Sequence, residues 1–223
     1  MADMEPITRR RLLRGCGVGV AVGVAGCSGR GGDGTEPDAL SGNVRPSGEP
    51  ASIPDPLHCE REGAERFDSW YDSVVWGGPA ENGDPFALRI ERHEYRRGDE
   101  ATVTLTNTGN EKEMTGNRRK FGFEVRTDPG WQDVRVHSAE DPVAYTDIGI
   151  LHEPGKGFEW TLPLDATEFT GGTDDRFTVC PGLPAGRYRF VYWGADPALA
   201  VAFDLVAGET DTATPRSRAP HTL

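Results

Sequence analysis

Alternation of apolar and polar residues with a period of two constrains this chain most. It recurs in short runs separated by turn residues. Phe86, Leu88 and Ile90 follow it, as do Val103 and Leu105 within Thr102-Val103-Thr104-Leu105-Thr106. It returns at Phe121, Phe123 and Val125, and again at Phe158, Trp160 and Leu162. Tyr188, Phe190 and Tyr192 share one face of 187–193, and Leu199, Val201, Phe203 and Leu205 close the series. A strand sends successive side chains to opposite faces, so each run buries one face and gives the other to polar or small residues. The breaks are turn chemistry: Arg97-Gly98-Asp99, Asn107-Thr108-Gly109-Asn110, Asp128-Pro129-Gly130, Pro154-Gly155-Lys156-Gly157 and Pro184-Ala185-Gly186. Pro129 and Gly130 suit the two central positions of a type II turn, which predicts a hairpin joining 121–126 to 131–136. Short strands at this spacing predict an all-β, antiparallel β-sandwich over 86–207. Glu60–Trp70 lacks the alternation and reads as a short helix.

Composition sets the boundaries. Residues 27–56 are rich in Gly, Pro, Ser and acidic residues and poor in apolar ones. Such a segment buries too little surface to order itself and reads as a disordered tether. Residues 208–223 read as a disordered tail. Between them lie an extension, 57–85, and the sandwich, together about 150 residues, enough for one core. Phe67, Trp70, Tyr71 and Trp76 in the extension read as core that packs 60–77 against the sandwich; the alternative is an exposed binding patch.

The chain holds 24 basic and 36 acidic residues. Residues 1–27 contribute Arg9, Arg10, Arg11 and Arg14 against Asp3 and Glu5, so the remainder has 20 basic and 34 acidic residues, a net of −14. Only Lys112, Lys120 and Lys156 are lysines. An acidic, lysine-poor surface resembles that of proteins from extreme halophiles, where concentrated salt screens self-repulsion. It lacks the basic footprint of a nucleic-acid binder.

The N-terminus carries a second resemblance. Thr8-Arg9-Arg10-Arg11-Leu12-Leu13-Arg14 precedes a short apolar run from Gly15 to Gly26, which ends in Val24-Ala25-Gly26-Cys27. This resembles a twin-arginine export signal over 1–26, with Arg9 and Arg10 as the paired arginines, closed by a lipobox. The alternative is an uncleaved anchor, but the run is shorter than the roughly 20 residues of a spanning helix. The resemblance implies cleavage before Cys27, lipidation on it, and a place on the extracytoplasmic face of the cell membrane. A diacylglyceryl group supplies the two chains that stable anchoring takes. Cys16 then leaves with the signal and Cys27 is acylated. Cys59 and Cys180 remain in an oxidising compartment, where a disulfide is expected; the alternative is two separate buried thiols.

The order of motifs in the sandwich also resembles a family. Val103-Thr104-Leu105-Thr106-Asn107 is followed by Gly116, by Gly130-Trp131-Gln132-Asp133-Val134, by Glu153-Pro154-Gly155 before Phe158-Glu159-Trp160, and by Leu183-Pro184-Ala185-Gly186-Arg187-Tyr188-Arg189-Phe190. This is similar to the bacterial immunoglobulin-like domains of exported lipoproteins, of haloarchaeal type here. More loosely, it resembles the intracellular proteinase inhibitor of bacilli. The first likeness implies a non-catalytic binding or structural module on the cell surface. The second implies an exposed loop that blocks a protease.

Residue types for chemistry are sparse. A blue-copper site needs two His, a Cys and usually a Met, but no His follows Cys180 closely and Met114 is the only methionine beyond the signal. His58, His93, His137, His152 and His221 are scattered, and no Gly-x-Ser-x-Gly elbow is present. Ser138 with His152-Glu153 would form a hydrolase triad only if the fold assembled it. Asp174-Asp175 lacks the repeat of a calcium loop. No cofactor or metal is expected. Arg118-Arg119-Lys120 is the one three-residue basic run after the signal. It reads either as a dock for an acidic surface protein or glycan, or as a solvated loop.

Overall fold

The computed structural model describes residues 41–78, 85–140, 143–165, 168–169 and 177–207. The export signal with Arg9 and Arg10, the lipidation site Cys27, Asp174-Asp175 and the tail 208–223 lie outside the described residues. The chain is all-β, with no helix among the described residues. Its strands are β1 (Ala64–Arg66), β2 (Val75–Trp76), β3 (Phe86–Ile90), β4 (Glu94–Arg96), β5 (Glu100–Asn107), β6 (Glu113–Thr115), β7 (Phe121–Thr127), β8 (Gly130–Asp133), β9 (Arg135–Ser138), β10 (Ile150–His152), β11 (Gly157–Pro163), β12 (Glu168–Phe169), β13 (Phe177–Val179), β14 (Gly186–Tyr192) and β15 (Leu199–Val206).

Two larger sheets enclose the main core. One has the order β11-β5-β3; the other has the order β2-β15-β14-β7-β8, with β4 also beside β15. Leu88, Ile90, Val103, Leu105, Trp160 and Leu162 face inward from the first, and Phe121, Phe123, Val125, Tyr188, Phe190, Tyr192, Val201 and Phe203 from the second. Trp160 packs on Phe190 at 4.9 Å and on Tyr192 at 5.3 Å, linking the sheets. The phenol hydroxyls stay satisfied inside: Tyr188 donates to the Pro184 carbonyl and Tyr192 to that of Gly116, each at 2.6 Å. Two sheets of shorter strands, β1-β9-β13-β12 and β10-β6, flank this core. The chain passes from the large sheet to the first of them at Val134. Its N–H still bonds Phe123, while the next residue already belongs to β9.

Four expectations change. The segment 60–70 is not a short helix: Ala64–Arg66 pairs antiparallel with Val136–Ser138. Gly63 turns at φ 69°, in the left-handed region where only glycine is unstrained. The predicted hairpin forms, but with its turn shifted by one: Thr127 pairs with Gly130, which leaves Asp128 and Pro129 as the two loop residues. The large sheet is not wholly antiparallel, since β2 and β4 both join β15 in parallel. Finally, residues 41–56 are not free tether. Asn43 bridges Ile90, and the Val44 carbonyl accepts the Ala202 N–H at 2.7 Å. β15 is thus covered along its outer edge, by β2 at Leu199 and Ala200, by Val44 at Ala202 and by β4 from Asp204 to Val206. An uncovered edge invites pairing with another chain. A segment too polar for a core can still satisfy that edge through its backbone.

Candidate binding face

The alternation that points Tyr188, Phe190 and Tyr192 inward points Arg187, Arg189, Val191 and Trp193 outward. Residues 69–77 cross this outer face. At its middle, Val191, Ala198 and Ala200 are sealed beneath Tyr71, Val74, Trp76 and Trp193. Beside them lies a buried ionic knot. Glu124 accepts a bond from the Tyr71 hydroxyl and another from Arg189 Nε at 2.5 Å. The Arg189 guanidinium stacks over Trp131 at 4.5 Å. Burial raises the Tyr71 phenol pKa, and the Glu124 carboxylate raises it further, so the phenol remains a hydrogen-bond donor.

At the Arg187 end the face opens into a recess of about 440 Å³, walled by Arg45, Glu49, Trp76, Arg126, Trp131 and Arg187. Arg187 is committed: it grips Asp204 at 2.8 and 2.9 Å and donates to the Gly48 carbonyl at 2.6 Å. Arg126 meets Glu49 at 2.9 Å, and the Glu49 side chain is 76% exposed. Arg45 lies 5.3 Å over the Trp76 ring, with no ion pair among the described residues.

At the opposite end is an exposed aromatic cluster. Trp70, 64% exposed, stacks on Trp193 at 5.8 Å and 17°. Tyr145 meets both indoles edge-on, at 6.0 and 4.8 Å. Lys120 Nζ sits 5.4 Å over Trp193 and 2.6 Å from Asp147. A cleft of about 320 Å³, bordered by Asp72 and Asp196, runs beside Trp70 and Trp193.

The sequence-derived candidates fall as follows. Cys59 and Cys180 form a disulfide, with Cα atoms 5.4 Å apart. The basic run is drawn inward: all three residues are half-buried, Arg118 donates to the Glu159 carbonyl, and Lys120 pairs with Asp147. Of the aromatic group expected to be core, Phe67 is buried, Tyr71 and Trp76 are half-buried, and Trp70 is exposed. Ser138 and His152 are not brought together. The Ser138 hydroxyl accepts from Glu140 N–H, and His152 Nε2 meets Thr115 Oγ1 at 2.8 Å on another sheet. No metal-holding group of three or more His, Cys, Asp or Glu occurs among the described residues. Sequence reasoning missed Trp193, Trp131, Arg45 and Arg187 as parts of one face. The usable signal was the odd-numbered set of 187–193, read there only for its inward partners. Neither protein-family models nor curated proteins match this chain.

Proposed function

We propose that this protein is a lipid-anchored, extracytoplasmic binding module without catalytic activity, held to the cell membrane through Cys27. Its outer β14 face would engage a surface protein or glycan. The observation that carries the reading is the Trp70–Trp193–Tyr145 cluster. An exposed indole stacked on a second indole, on a surface otherwise rich in carboxylates, offers contact area to a partner at little entropic cost. The signal-like N-terminus supports the address, and the acidic surface argues against nucleic acid. Tyr188 bonds a backbone carbonyl four residues upstream, as the tyrosine corner of immunoglobulin-type sandwiches does, which supports an immunoglobulin-like identity.

Fractionation tests the anchor. Cys27→Ser should move the protein from membranes to the medium, and changing Arg9 and Arg10 to Lys should hold it inside. A Cys27→Ser protein as firmly membrane-bound as wild type overturns the anchoring. Binding of purified Cys27→Ser protein to washed cell envelopes in concentrated salt tests the face. Trp70→Ala should weaken it about tenfold, the loss expected of a central aromatic anchor. Unchanged binding would remove the cluster from the reading.

A further inference from the structure

We propose that the recess at the Arg187 end binds an acidic saccharide, a sugar ring bearing a carboxylate or sulfate, and that Glu49 occupies the anion position until the ligand displaces it. The inference rests on the binding-module reading and names a ligand class for one part of that face.

Charge carries the first step. Beyond residue 27 the chain has a net of −14, yet three guanidiniums, from Arg45, Arg126 and Arg187, converge on one recess. Chance placement on so acidic a surface favours the opposite sign. The two carboxylates that face them play different roles. Asp204 is locked to Arg187 by two bonds, which makes Arg187 a positioning residue that also fixes Gly48. Glu49 is a largely exposed side chain making one ion pair, of the kind that contributes little to stability and is readily exchanged. Releasing it leaves the guanidiniums of Arg126 and Arg45 facing the cavity. The planar guanidinium fork matches carboxylate and sulfate oxygens in a bidentate manner.

The rest of the wall specifies a ring beside the anion. Trp76 and Trp131 flank the same recess, and each already carries a guanidinium over its face, Arg45 at 5.3 Å and Arg189 at 4.5 Å. The two indoles give the recess an apolar wall against which the C–H side of a sugar can rest. A volume of about 440 Å³ lies within the roughly 300–1,000 Å³ of small-molecule sites. The larger recess, about 690 Å³, over Thr102, Thr104 and Thr106 has no aromatic wall among the described residues and does not pair an anion site with a platform.

The test uses the full chain with Cys27→Ser, titrated at one salt concentration with trigalacturonate, maltotriose and sodium sulfate, and followed by tryptophan fluorescence and calorimetry. Trigalacturonate should bind at least about tenfold more tightly than maltotriose, and Arg126→Gln should weaken it about tenfold, the loss of one charge-assisted contact. Arg45→Gln should weaken it similarly. Because Arg45 makes no ion pair among the described residues, that variant keeps the test decisive if Arg126→Gln fails to fold. Glu49→Gln should tighten binding several-fold by removing the competitor. Equal binding of maltotriose, no effect of either arginine, or sulfate competing as well as trigalacturonate would overturn the proposal. If trigalacturonate does not bind while envelope binding still depends on Trp70, the binding-module reading stands and the acidic-saccharide site falls.

Discussion

Arg135 is the residue least expected from its neighbours. Val134 and Val136 flank it as buried valines, and their alternation alone would put Arg135 on a solvent side of its strand. That side is buried too, because Phe67 and Phe177 from separate segments close over it. The guanidinium, 1% exposed, lies within 4.5 to 4.9 Å of the rings of Phe67, Phe121 and Phe177 and meets Asp133 at 2.9 and 2.6 Å. Burial disfavours its charge, and the Asp133 carboxylate outweighs that, so its pKa rises. Asp133 also accepts the N–H groups of Arg135 and Phe123, which fixes the corner where the chain changes sheet. Breaking a buried pair leaves the other charge uncompensated and costs about 3–5 kcal/mol. Arg135→Met should destabilise by that amount in urea unfolding, with Asp133→Asn restoring part of it in the double variant. A cost below about 1 kcal/mol, with no coupling between the two sites, would show that the pair does not hold the corner.

At the scale of elements, the strands of the two main sheets were legible because large apolar residues alternate there with polar or small ones. Phe86, Leu88, Val103, Leu105, Phe121, Phe123, Tyr188 and Phe190 are all buried, as their alternation predicts. The extension was not legible. Three residues of β1 and two of β2 are too short to show a period, and their partners, β9 and β15, lie far along the chain. Even the candidate face was legible only in part, since Trp70 and Trp193 stack across segments with no local pattern in common. β1 is held by its ladder to β9, by Arg66, which donates to the carbonyls of Asp133 and Cys180, and by Cys59–Cys180. The disulfide spans 121 residues, and the chain-entropy model assigns such a loop about 4–5 kcal/mol. Replacing both cysteines with Ser should therefore lower the melting temperature. In hydrogen exchange, 57–66 should open first while β5, β7 and β14 stay protected. Exchange that rises equally throughout the sandwich would mean that the bridge stabilises the whole fold and not the docking of its N-terminal segment.

For the whole molecule, charge is the property most plainly written in the composition, and it bears on the conditions under which the fold persists. With 20 basic and 34 acidic residues beyond residue 27, compaction brings like charges together, and folding works against that repulsion. Added salt shortens the screening length from about 10 Å at 0.1 M to about 3 Å at 1 M, which removes most repulsion between separated surface carboxylates. The attractive pairs respond less, because Arg135–Asp133 and Arg189–Glu124 are buried and only weakly screened. The melting temperature should therefore rise steeply with sodium chloride up to about 1 M and flatten above it. A general salting-out effect would keep climbing, and would be stronger for sulfate than for chloride at equal ionic strength. Replacing exposed acids such as Glu60, Glu62 and Glu65 with Gln should raise stability in dilute salt and shrink the salt response. A melting temperature that is flat or falling with chloride would mean that attractive surface pairs, not self-repulsion, dominate the electrostatics of this acidic chain.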